Sequence, residues 1–130
     1  MPQWHDDLQK LKVTGGRRGS YRSKRRFESG RYPTETRLGE RQSKTVVGRG
    51  GSVKIRLRRE RYANVTNPDS RKTEKVEIER VVRNPVNVDF DRRRILTRGA
   101  IIGTRLGEAV VTSRPGQHGV VNALLLKVRR

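Results

Sequence analysis

The feature that most limits the possible folds is a strongly basic stretch near the start of the chain with almost no apolar residues. Residues 14–26 hold six Lys/Arg, three glycines, one aromatic residue and no acid. Such a composition buries too little apolar surface to offset the entropy lost on ordering, so the stretch cannot contribute to a globular core. A polyanion can order it, because phosphates neutralise the cations and release condensed counterions. The stretch therefore indicates a segment that binds RNA.

The whole chain is basic as well. Its 130 residues carry 32 Lys/Arg against 13 Asp/Glu, a formal net charge of +19. A field of this sign attracts nucleic acid or an anionic membrane. Twenty-four of the cations are Arg, whose planar side chain contacts phosphate with two hydrogen bonds and stacks on unpaired bases. No stretch approaches the length of a membrane span, so RNA is the expected partner and a membrane is not.

The distribution of apolar residues divides the chain. Between residues 14 and 45 large apolar side chains are few and follow neither a helical nor a strand period, which predicts a mostly irregular extension. Residues 4–11 have apolar side chains at the spacing of a short helix. We therefore predict two parts, a basic RNA-binding extension over residues 1–45 and a folded body over residues 46–130.

Beyond the extension, the sequence predicts strands and turns. Apolar residues alternate with cations over residues 53–58, which is the period of a half-buried strand with a basic outer face. A second strand is predicted over residues 76–79, with a bulge or a strand end near Arg80 where the alternation slips. Residues 113–119 predict a tight hairpin loop, and whether Arg114 in this loop meets RNA is left open. Short strands, glycine turns and no convincing helix indicate an all-β fold, either a small barrel or a sandwich.

The candidate RNA-binding residues are cations, the glycines and threonine beside them, and one tyrosine. Glycine lets the backbone approach a phosphate closely, and Tyr21 can stack on an unpaired base. The basic face over residues 53–58 has a rival interpretation, since its cations can pair across the sheet with Glu77 and Glu79. The full predicted set is Lys12, Thr14, Gly15, Gly16, Arg17, Arg18, Tyr21, Arg22, Lys24, Arg25, Arg26, Arg31, Arg49, Lys54, Arg56, Arg58 and Arg114.

The sequence gives no sign of catalysis. His5 and His118 are its only histidines, and without cysteine they cannot complete an ordinary four-ligand zinc site. The phosphate-binding loop pattern of nucleotide hydrolases does not occur. The absence of cysteine also excludes disulfides and suits the reducing cytoplasm. We expect no enzymatic activity, no cofactor and no small-molecule substrate.

Six short motifs, in order along the chain, resemble one known family. They are Thr14-Gly15-Gly16-Arg17, Gly30-Arg31-x-Pro33-x-Glu35-Thr36, Arg49-Gly50-Gly51, Asn84-Pro85-x-Asn87-x-x-Phe90, Thr97-x-Gly99-Ala100-Ile101-Ile102 and Val111-Thr112-Ser113-Arg114-Pro115-Gly116-Gln117-x-Gly119-Val120-Val121-Asn122. The chain is similar over roughly residues 12–126 to the "eight-e" family of small-subunit ribosomal proteins, in its short archaeal form. The resemblance implies a closed or nearly closed β-barrel and a long basic N-terminal extension laid into small-subunit rRNA. It also implies a cytoplasmic location within the small subunit, beside other ribosomal proteins.

These observations predict a structural constituent of the small ribosomal subunit that binds its rRNA through the extension and the basic barrel surface. One alternative is a ribosome assembly factor that binds precursor particles. Another is a DNA-compacting protein, which only the charge supports. Composition alone does not separate the three, and the series of motifs favours the first.

Overall fold

The computed structural model describes residues 2–8 and 10–128, with the backbone alone at residues 127 and 128. The described chain is mainly β-strand, and it divides into two compact units, residues 1–33 and residues 34–130. The division that the sequence predicts at residue 45 stays a prediction.

The first unit contains one small sheet. Strand β1 (Gln3–Trp4) pairs antiparallel with β2 (Ser29–Gly30), and a 3-10 turn over Arg26–Glu28 leads directly into β2. The helix predicted over residues 4–11 is wrong for the part of that segment that is described. A helix of this length is marginal in water, and the chain instead pairs its first strand with β2.

The second unit begins with a three-stranded sheet. Its strands are β3 (Arg37–Leu38), β4 (Gln42–Val47) and β5 (Val53–Glu60), in the order β3-β5-β4. Strand β3 runs parallel to β5 and β4 antiparallel, and a 3-10 turn over Arg49–Gly51 lies between β4 and β5. The prediction of irregular structure up to residue 45 is therefore wrong at β3 and β4. These strands carry few apolar side chains and are held by pairing with β5, so no apolar period marks them in the sequence.

The remaining strands form a closed five-stranded barrel in the order β10-β6-β7-β8-β9. The strands are β6 (Tyr62–Asn67), β7 (Lys72–Arg83), β8 (Ile101–Thr104), β9 (Gly107–Val111) and β10 (Asn122–Val128). Strands β6 and β10 pair in parallel and close the barrel, and the other pairs are antiparallel. The all-β prediction is confirmed, and of barrel and sandwich the structure has the closed barrel.

The barrel core confirms the predicted strand over residues 76–79. Val76 and Ile78 are buried and Glu77 is exposed, as the alternation predicts. The pairing of β7 with β8 shifts register between Ile78 and Arg80, which confirms the bulge. The buried core cluster consists of Leu57, Ala63, Val65, Val76, Ile78, Val81, Leu96, Ala100, Ile102, Ala109, Val111, Val121, Ala123 and Leu125.

Two short helices connect the strands of the barrel. Helix α1 (Val88–Arg92) follows β7, and the Asn87 side chain caps it by accepting a hydrogen bond from the Asp89 N–H. Helix α2 (Pro115–His118) connects β9 to β10 and is followed by Gly119 in the left-handed conformation. Residues 113–119 do connect two antiparallel paired strands, as the predicted hairpin requires, but the predicted tight loop is wrong, since a helical turn with proline in its first turn takes its place.

Candidate nucleic-acid interface

The motif over residues 14–17 belongs to a tight turn. The Gly15 N–H donates to the Lys12 carbonyl and the Lys12 N–H to the Gly16 carbonyl, each at 2.9 Å between nitrogen and oxygen. Gly15 has a φ of +79°, which glycine adopts without the strain a side chain would cause. Residues 11–20 are exposed throughout. The turn thus presents Thr14, Gly15 and Gly16 between Lys12 and Arg17, at positions that a phosphate can reach.

Arg22 is held inside the first unit. Its guanidinium forms an ion pair with Glu28, donates to the Tyr21 hydroxyl at 3.0 Å, and lies 5.3 and 5.7 Å from the ring centroids of Tyr21 and Phe27. The hydrogen bond from Arg22 lowers the pKa of Glu28, and a second one from the Arg25 backbone lowers it further. The charge of Arg22 is therefore largely balanced, whereas Tyr21 is 87% exposed and can stack on a base.

The acids of the first unit each lie beside a cation. Arg18 is 3.8 Å from the Asp7 carboxylate, and Lys24 is 3.9 Å from the Asp6 carboxylate and 5.3 Å from the Trp4 ring centroid. Residues 1–33 contain nine Lys/Arg and three Asp/Glu, a net charge of +6. Arg17, Arg25 and Arg26 are among its exposed cations. External anions or solvent counterions must neutralise this surplus.

A cavity of about 850 Å³ opens within the first unit. Arg18, Ser20, Tyr21 and Lys24 contribute to its lining, together with acids that already have cation partners. Its volume lies in the range of pockets that hold a small ligand. Its lining combines cations, three acids and the Tyr21 ring, so it is not an apolar pocket.

The second basic surface is the strand pair β4–β5 with its connecting turn, residues 41–59, which we call the basic ribbon. The sequence of this segment contains seven Lys/Arg and no acid. These cations are Arg41, Lys44, Arg49, Lys54, Arg56, Arg58 and Arg59. All are exposed except Arg56, which is half-buried. Sequence analysis missed Arg41, Lys44 and Arg59, although the interval without acids between Glu40 and Glu60 was a signal that could have found them.

The two faces of the basic ribbon differ in chemistry. Lys44 stands opposite Arg56 and Val46 opposite Lys54, so the three cations share one face of the strand pair. The other face of β5 is apolar, but only Leu57 on it is fully buried. Val53 and Ile55 are 61% and 44% exposed. The predicted half-buried strand is thus confirmed as a strand, whereas its apolar face is covered only at one end.

The rival interpretation assumed that β5 and β7 are neighbours in one sheet, and that arrangement is not found. Ion pairing of the β5 cations with the acids of β7 outside a sheet ladder stays a prediction. The sheet neighbours of β5 are β3 and β4, and those of β7 are β6 and β8. Glu77 instead pairs with Arg61, at 2.5 Å between Oε1 and Nε. Lys54 donates from Nζ to Oε1 of Gln117 in α2 at 3.2 Å.

The segment before α2 has a clear structural role. The Ser113 hydroxyl donates to the Val120 carbonyl and accepts from the Asn122 N–H, both at 2.9 Å. The Arg114 N–H donates to His118 Nδ1 at 3.2 Å, and the residue itself is exposed. These hydrogen bonds give the motif over residues 111–122 a role in stabilising the fold. A contact of Arg114 with RNA stays a prediction.

Two other kinds of site were sought in the described part of the chain, residues 2–8 and 10–128. No group of three or more histidine or acidic side chains there could hold a metal ion. The helices found in these ranges are too short and too polar to cross a membrane.

Together, the fold and the surface define a small, strongly basic β-barrel protein whose acid-free ribbon suits a polyanion. The family model described as "Ribosomal protein S8e" matches residues 5–126. The chain belongs to this family, which confirms the resemblance seen in its motifs.

Relatives of similar length support the assignment. The chain is 52% identical over 115 residues to the small ribosomal subunit protein eS8 of Methanoregula boonei, an alignment covering 88% of this chain and 92% of the relative. It is 50% identical to the protein of the same name from Nanoarchaeum equitans, and this alignment covers 88% of this chain and 91% of the relative. It is 48% identical to the protein of the same name from Sulfolobus acidocaldarius, and this alignment covers 89% of this chain and 91% of the relative.

Proposed function

We propose that the protein is a structural, non-catalytic constituent of the small ribosomal subunit in the cytoplasm, beside other ribosomal proteins, and that it binds small-subunit rRNA. The single observation that carries this proposal is the family match over residues 5–126. The relatives are named as small ribosomal subunit proteins. Charge alone would serve a DNA-binding protein equally well, so the family match is what selects the ribosomal role.

The proposed RNA contacts lie in the basic N-terminal residues and on the basic surface of the body. In the N-terminal residues, the turn around Gly15 lies between the exposed cations Lys12 and Arg17, and Tyr21 offers an exposed ring face. On the body, the basic ribbon supplies phosphate contacts. In this mechanism the cations reduce repulsion between rRNA phosphates and release counterions, without reading base sequence.

The proposal is tested by a variant in which Arg17, Arg18, Arg25 and Arg26 are replaced with Ala. The barrel should stay folded, because these side chains are exposed and lie outside its core. Affinity for small-subunit rRNA should fall, and the slope of log affinity against log salt should become shallower by about 3–4, the share of four phosphate contacts. Circular dichroism reports folding, and a filter-binding titration at several salt concentrations reports affinity.

A matched control removes four exposed cations elsewhere. Its substitutions are Arg71→Ala, Lys72→Ala, Arg98→Ala and Arg105→Ala, which give the same change in net charge. We expect a smaller loss of affinity in this variant. An unchanged affinity and salt slope in the first variant, or equal losses in the two, would contradict a role of the N-terminal residues.

A further inference from the structure

The side of the basic ribbon that faces away from Lys54 is apolar and open near the connecting turn. Val53 and Ile55 flank Lys54 in β5, so their side chains point to the opposite side of the strand. Val47 of β4 is the cross-strand partner of Val53 and lies on the same side. Val47, Val53 and Ile55 are 60%, 61% and 44% exposed. We call these three residues the apolar face of the ribbon.

The apolar face is held in position by the packed part of the body. Leu57, the next residue on the same side of β5, is fully buried. The backbone at Gly119 lies so close to Ile55 that a Cβ there would be 2.7 Å from its Cβ and Cγ2. One end of the face therefore continues into the core, and its position is set before any partner binds.

Aliphatic side chains suit a protein partner better than a nucleic acid. RNA is bound by cations and polar groups at phosphates and by aromatic rings or Arg planes that stack on bases. Valine and isoleucine supply neither kind of contact. Adjoining exposed apolar side chains with polar residues around them are typical of a surface that another protein covers. The cationic side of the same strand pair suits rRNA, and the apolar face suits a protein.

The charge around the apolar face determines which protein segments can approach it. Residues 41–59 contain seven Lys/Arg and no acid. Glu60, the acid that follows them, lies 3.6 Å from Arg41. Like charges brought together at an interface oppose binding, whereas opposite charges favour it. A basic segment would be repelled here and an acidic one attracted.

We propose that the apolar face binds an acidic segment of another small-subunit protein. An apolar side chain of that segment packs on Val53 and Ile55, and its carboxylates lie beside the cations of the ribbon. This contact rests on the proposed function for its location in the small subunit. It goes further in giving the place and the chemistry of the protein contact, and in assigning the two sides of the ribbon to different classes of partner.

The test is photo-cross-linking within small subunits purified from cells that make the full chain with p-azidophenylalanine in place of Val53. The probe reacts with both protein and RNA, and mass spectrometry identifies the product. We expect a cross-link to a protein segment of net negative charge, and the same product from the probe in place of Val47. The matched control carries the probe in place of Lys44, on the other side of the same strand pair. It should react mainly with RNA and give a several-fold lower yield of the protein product.

The acidic character of the partner is tested by two substitutions of similar size. With the probe in place of Val47, Val53→Asp and Val53→Asn both remove the apolar contact at residue 53, but only Val53→Asp adds a negative charge. We expect Val53→Asp to lower the yield of the protein product several-fold more than Val53→Asn. Equal yields in the two variants would contradict an acidic partner.

Three results would overturn the proposed contact. They are cross-links from the apolar face to RNA alone, no cross-link from either position on it, and a protein product that forms equally well from Lys44. If the unsubstituted chain is present in small subunits and one of these results is obtained, the contact is refuted and the proposed function stands. If the unsubstituted chain is absent from small subunits, both are refuted.

Discussion

The buried side chain of Asn84 holds together a part of the body that has little regular structure. It is 3% exposed, and its Nδ2 donates to the Ile95 carbonyl at 2.8 Å and to the Thr97 hydroxyl at 2.9 Å. Its Oδ1 accepts from the Val86 N–H at 3.1 Å. One amide thus joins the segment after β7 to the segment before β8. The family motif that begins at this residue is explained by the fold.

We predict that Asn84→Ala lowers the free energy of unfolding by about 2–4 kcal/mol, because it leaves the buried Ile95 carbonyl and the part-buried Val86 N–H without their side-chain partner. Urea denaturation measures the change. The control is Asn67→Ala, at a half-buried residue whose Oδ1 accepts from the Asp69 N–H at 3.0 Å in an exposed turn. The control should cost under about 1 kcal/mol. An equal loss of unfolding free energy in the two variants would show that water replaces the hydrogen bonds of the Asn84 side chain.

At the scale of elements, α2 fixes the position of β5. Gly119, which follows α2, is buried and has a φ of +73°. A Cβ at this residue would lie 2.7 Å from Cβ and Cγ2 of Ile55 in β5. Glycine is therefore required twice, once by the backbone conformation and once by the close approach of the strand. On the other face of β5, Lys54 bonds to Gln117 of the same helix.

We predict that Gly119→Ala destabilises the protein by more than Gly99→Ala does. Gly99 also has a positive φ, +87°, but a Cβ there would meet no heavy atom within 4 Å. Each substitution therefore lowers the free energy of unfolding by about 1–2 kcal/mol through the strained backbone. At Gly119 the overlap with Ile55 lowers it by a further amount of about 1–3 kcal/mol. Urea denaturation of both variants measures the difference. Equal destabilisation would mean that Ile55 moves aside at no cost.

The sequence predicts those elements whose side chains alternate between core and solvent. Strand β7 is such an element, since Val76 and Ile78 face the core and each is followed by an exposed acid. Strand β4 could not be predicted in this way, because its residues are exposed or half-buried and do not alternate between core and solvent. The parallel pairing of β6 with β10 joins strands that are far apart in the chain, and no local pattern encodes it.

The cations of the candidate site can likewise be predicted only where they lie close together in the sequence. Cations concentrated in one stretch, as over residues 14–26, are visible in composition. Lys44 is isolated in the sequence among polar and apolar residues, and it joins the other cations only through its register with Arg56. Composition also does not reveal that Arg22, a predicted RNA contact, forms an ion pair with Glu28. Its contact with RNA stays a prediction.

At the scale of the whole molecule, the charge is spread over both units. Residues 1–33 carry a net charge of +6 and residues 34–130 the remaining +13. If about ten phosphates are neutralised, log affinity falls with log salt with a slope of about −9. A protein held on a particle by charge alone should therefore leave it in concentrated salt. A constituent enclosed by folded rRNA and other proteins should remain.

This difference gives the decisive prediction for the whole molecule. When a native cell lysate is sedimented through a sucrose gradient at high salt, the protein should travel with mature small subunits at about one copy each. Detection only on precursor particles would contradict the structural role and indicate an assembly factor. A position at the top of the gradient, or with DNA, would show that binding depends on charge alone. Because the salt slope is steep, the gradient separates these cases by position, without a measured affinity.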